Sequence, residues 1–110
     1  MAQASTRPKT SLDVIREVSP AIADGFSALR RGIDESGPLE PKYRELINIA
    51  SFVTARNESG FRTHCGRALD AGATTEEVRQ AILLTFGSNM GIAQVVAALG
   101  WADEVIASKK

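Results

Sequence analysis

The stretch PKYRELINIASFVT, Pro41 to Thr54, decides the fold. Pro41 suits the first position of a helix, where its fixed φ is already helical and its missing N–H is not needed. At about 100° per residue, Tyr43, Leu46, Ile47, Ala50 and Val53 cover one broad face, and Ile49 and Phe52 cover most of the other. Only Arg44, Asn48 and Ser51 mark a polar strip. A helix apolar almost all round is a central helix, so the expectation is an all-α domain. Glu45 falls between Ile49 and Phe52, its neighbours at i+4 and i+7, and is expected to be at least partly buried.

A buried carboxylate is costly unless something pairs with it. Two partners are open to Glu45. One is an arginine such as Arg44, Arg56 or Arg62, in a purely structural ion pair. The other is His64, the only histidine of the chain. On the wheel of Phe61 to Ala71, Phe61, Cys65, Ala68, Leu69 and Gly72 form the apolar stripe, and Arg62, Thr63, Gly66 and Asp70 the wet face. His64 and Ala71 sit on one edge, with Arg67 further out on that side. An edge histidine reads either as a structural residue or as half of an acid/base pair with Glu45, a device that works near neutral pH without metal or nucleotide. Cys65 lies in the middle of the stripe, where a cysteine behaves as a small hydrophobe. Its redox reading lacks a Cys-x-x-Cys partner.

Outward from these two segments, the chain punctuates itself into further helices. Residues 1–10 read as a loose tail and 11–110 as a single helical domain. Leu12 to Val18 is a short helix. Ser19-Pro20 is a cap followed by a first-position proline, opening a helix to about Ile33, and Asp34 to Pro38 is a turn. Asn57 to Gly60 is either a break or a helix start. Gly72 terminates the His64 helix. Thr74 with Glu77 makes a capping box for a helix to about Gly87. A last helix, Gly91 to Ile106, is rich in small residues, and its Trp101 is an anchor for the core or for an interface.

Thirteen basic and thirteen acidic side chains cancel, which argues against nucleic acid or an anionic membrane as a partner. No apolar run approaches the roughly 18 residues a bilayer span requires. The N-terminal residues lack the apolar core of a signal peptide, and a single cysteine suits a reducing compartment, so a cytoplasmic location is expected.

The run Arg44-Glu45-Leu46-Ile47, then His64, then Arg67-Ala68-Leu69-Asp70-Ala71-Gly72-Ala73-Thr74, then Glu76-Glu77-Val78, resembles the carboxymuconolactone decarboxylase family, which also holds the alkylhydroperoxidase D proteins. The resemblance covers about residues 26 to 106, and the Glu to His spacing fits without a gap. It implies an alkylhydroperoxidase D-like bundle of about five or six helices, assembled with itself into a trimer or hexamer. The alkylhydroperoxidase D branch carries a Cys-x-x-Cys before the histidine. Here those two positions are Asn57 and Gly60, and Cys65 matches neither, so only Glu45 and His64 carry over. The decarboxylase branch also lacks the cysteine pair and opens a small lactone acid by proton transfer and loss of carbon dioxide. Its substrate is a small organic anion, so a binding arginine is required. Arg62, Arg67, Arg44 and Arg56 are the donors at hand.

Three functions follow as expectations. The first is a cofactor-free, metal-free acid/base enzyme in which His64 exchanges a proton with substrate and Glu45 orients the imidazole. The second is a peroxidase using Cys65 alone with an external thiol. The third is a non-catalytic oligomeric binding protein.

Overall fold

The structure, a computed structural model, describes residues 8–110. Six helices are present, with no strand among the described residues: α1 (Ser11–Val18), α2 (Pro20–Glu35), α3 (Pro41–Thr54), α4 (Glu58–Asp70), α5 (Thr75–Ser88) and α6 (Ile92–Ser108). The chain divides into two compact units, one ending at Pro38 and the other running from Leu39 to Lys110.

In the first unit α1 packs on α2. Most of the expected loose tail lies outside the described residues. Its last residue is ordered: Thr10 caps α1, its hydroxyl accepting from the Asp13 N–H while the Asp13 carboxylate accepts from the Thr10 N–H. This reciprocal cap starts the helix at Ser11 rather than Leu12. Ser19 caps α2 from the serine hydroxyl, as its position before Pro20 predicts.

In the second unit α3 lies against α4, α5 and α6, which makes it the central helix. Its burial is one-sided, however. Ile49 and Val53 are fully buried, whereas Tyr43 and Ile47, expected on a covered face, stand exposed. The core gathers Ile49 and Val53 with Phe61, Cys65 and Ala68 of α4, Val78 and Ile82 of α5, and Val95, Ala98 and Ala102 of α6. Trp101 is half-buried and packs on Phe61 at 5.7 Å between ring centroids, a core anchor. The Thr74–Glu77 capping box forms as expected. Glu77 also pairs with Lys42 at 3.2 Å, tying α5 to the start of α3. The Thr74 backbone N–H, then Lys42, hold the Glu77 carboxyl below its ordinary range. Gly72, at φ +98°, ends α4 in the left-handed region. Among the described residues no helix is long and apolar enough to cross a membrane.

Candidate active site

The connection between α3 and α4 is only Ala55 to Asn57. Arg56 sits in the left-handed region at φ 55° and turns the chain. The Asn57 N–H donates to the Phe52 carbonyl at 2.9 Å, and the Asn57 side-chain oxygen accepts from the Gly60 N–H at 2.9 Å. Asn57 is thus both the end of one helix and the cap of the next, which resolves Asn57 to Gly60 as a helix start. The tight turn sends α4 back along α3, so that Glu45 meets His64 while Phe52 meets Gly60.

His64 Nδ1 lies 2.6 Å from Glu45 Oε2. The two side chains retain 7% and 13% of their surface. With Glu45 as a carboxylate, which only accepts, Nδ1 is the nitrogen that donates. In that arrangement the neutral ring carries its lone pair on Nε2, which has no partner among the described residues and faces away from Glu45. The ring of Phe52 lies beside the imidazole, with centroids 5.0 Å apart and planes tilted by 31°. The edge position expected for His64 becomes an interior one because Glu45 and Phe52, both on α3, cover that edge.

The partner of Glu45 is therefore the histidine and not an arginine. Arg62 points elsewhere: its Nε donates to Glu58 at 2.9 Å and its NH2 group to Glu104 of α6 at 2.7 Å. Those hydrogen bonds, Glu104 first and Glu58 next, raise its already high pKa further. Arg44 donates to the Leu39 carbonyl at 2.6 Å. Arg67 is exposed and has no ion-pair partner among the described residues. Arg56 is also exposed, at the α3–α4 turn.

Cys65 is completely buried, and burial pushes its thiol up to about 11. It is a protonated packing residue at neutral pH. Gly66, expected on the wet face, is buried: the Lys109 side chain lies over it, with Cε 3.6 Å from the position a Cβ would take, and reaches on to Asp70 at 2.8 Å. No group of three or more His, Cys, Asp or Glu that could hold a metal ion occurs among the described residues.

Sequence reasoning missed the contact of Phe52 with His64. The signal was present in two spacings: Phe52 stands two turns beyond Glu45, and Gly60 one turn before His64, so the two pairs share facing sides of an antiparallel helix hairpin.

The arrangement is a carboxylate-oriented imidazole with one free nitrogen, bounded by an aromatic ring. It can accept a proton at Nε2 while Glu45 balances the charge that forms on the ring, and then return that proton. The model of the carboxymuconolactone decarboxylase family matches residues 20–104 of the chain. No curated protein and no solved structure matches it.

Proposed function

The chain belongs to the carboxymuconolactone decarboxylase family, and from that premise we propose that it is a cofactor-free acid/base enzyme acting on a small organic anion, by decarboxylation or lactone isomerisation. The observation that carries this reading is the 2.6 Å contact between Glu45 and His64 in a nearly closed setting. Both reactions balance without an oxidant. Isomerisation moves one proton from one carbon to another. Decarboxylation returns one proton to the site from which carbon dioxide left. In each case Nε2 of His64 carries the proton, and Glu45 keeps the ring oriented and supports the imidazolium. Arg67, three residues beyond His64 on the same helix and exposed, is the guanidinium we assign to the substrate carboxylate. The working form is a homo-oligomer, a trimer or hexamer as the family resemblance implies, located in the cytoplasm.

The test is turnover of a panel of small unsaturated lactone acids, followed by carbon dioxide release and by loss of ultraviolet absorbance. Glu45→Gln keeps the shape and removes the charge, and should lower kcat by roughly 10²-fold or more, the range of a general acid/base group. His64→Ala should do at least as much harm. The double variant should be no worse than His64→Ala, because residues acting as a unit are not additive. A Glu45→Gln protein that melts earlier but turns over at the wild-type rate would assign the pair to structure alone.

A further inference from the structure

Gly60 lies inside the first turn of α4, and glycine is among the poorest helix formers. Its φ lies outside the left-handed region, so backbone freedom is not what this position requires. Space is. A Cβ built on Gly60 would stand 2.6 Å from Phe52 Cδ1 and 2.9 Å from Cζ, with Cε1 closer still. The ring of Phe52 fills the volume that any other residue at 60 would occupy. One helical turn further on, the same ring lies at 5.0 Å from the imidazole of His64.

The geometry points to Phe52 as a positioning residue for His64, seated by the absence of a side chain at Gly60. The inference rests on the acid/base reading of the Glu45–His64 pair. A single hydrogen bond at Nδ1 pins one point of the imidazole and leaves the ring free to swing about that bond. The Nε2 lone pair lies in the plane of the ring, so the plane decides where a proton is taken and delivered. A second contact, on the ring itself, fixes the plane. Phe52 supplies that contact from the same helix as Glu45, so both restraints move as one body. Misplacement of a reacting group by about 1 Å costs up to about 10²-fold in rate, which is the scale of effect this contact controls.

The test uses the full chain with labelled histidine. His64 is the only histidine, so its imidazole gives one set of magnetic resonance signals with no assignment step. In the wild type the Nδ1–H proton should appear far downfield and exchange slowly, held by Glu45. Phe52→Leu should shift the carbon-bound imidazole protons, through loss of the neighbouring ring current, and should lose the slow Nδ1–H signal while melting stays cooperative. Gly60→Ala should do the same, because its Cβ displaces the ring. In a Phe52→Leu background Gly60→Ala should change nothing further. Imidazole signals unmoved in Phe52→Leu overturn the proposal, and so does an equal Gly60→Ala shift with and without the ring. If Gly60→Ala does not fold, Phe52→Leu alone decides by the same signals. Turnover on the same samples separates the two readings. A fall of up to about 10²-fold in kcat with little change in KM in Phe52→Leu supports positioning. A wild type with an ordered imidazole that turns over no substrate in the panel overturns the acid/base reading instead.

Discussion

Two neighbours on α4, His64 and Cys65, receive opposite treatment from the fold. The imidazole has a carboxylate at one nitrogen and a free nitrogen at the other. The thiol has no surface at all, and burial raises it from its ordinary 9.0 to about 11. Thiolate is the nucleophilic form, so Cys65 should resist a stoichiometric alkylating reagent at neutral pH in the native protein and react only after denaturation. Rapid native labelling with loss of activity would return the peroxidase reading. The same shift carries a stability signature. Above about pH 9 the unfolded chain begins to lose the thiol proton while the folded chain keeps it, so this contribution is complete below pH 9 and falls away between pH 9 and 11. The melting temperature of the wild type should therefore decline across that interval more steeply than that of Cys65→Ala. At neutral pH the alanine variant should be about 1 kcal/mol less stable, as for a small loss of core volume.

Between elements, the α3–α4 turn holds the one non-glycine residue with a positive φ among the described residues, Arg56. A side chain costs about 1–2 kcal/mol in that conformation, and glycine in the unfolded chain gives back part of the relief. Arg56→Gly should raise the melting temperature by a few degrees, measured by calorimetry, without moving the His64 signals. The caps at Ser19 and Thr74 and the stop at Gly72 were legible in the sequence because each depends on groups within three or four residues. The start of α4 was ambiguous because glycine at 60 weakens the local helix signal, whereas Asn57 restores it through its side chain. The Glu45–His64 pair was legible from an apolar helix that left a carboxylate without a local partner, together with the family spacing. The exposure of Tyr43 and Ile47 was not legible, since a helical wheel reports which faces are apolar but not which have neighbours. Nor was the fate of Arg62, whose carboxylate partner Glu104 lies on a helix far along the chain.

Over the whole chain, apolar side chains on several helices remain uncovered. Ile22, Phe26, Leu29 and Ile33 make a stripe along α2, and Leu84, Ile92 and Val96 stand out on α5 and α6, with Val96 at 59% and Leu84 at 63% exposure. A formal net charge of zero offers no repulsion to keep copies apart. We expect the purified protein to scatter light as three or six copies of the chain. Val96→Lys and Leu84→Lys, which place a charge on these faces without touching the core, should lower that mass. A wild type that elutes and scatters as a single copy in dilute buffer would refute the assembly.

The fit of Phe52 over Gly60 also has a historical side. By the family resemblance, the second thiol of the branch that cycles a disulfide falls at this position. Glycine and cysteine codons can differ by one base, so the mutation itself is accessible. Its product must first push the phenylalanine ring out of the place where the new Cβ would stand, and with it the contact that ring makes with His64. Positions 52 and 60 are therefore not independent. A thiol gained at 60 is paid for in the packing around the imidazole, and an aromatic kept at 52 favours glycine opposite it.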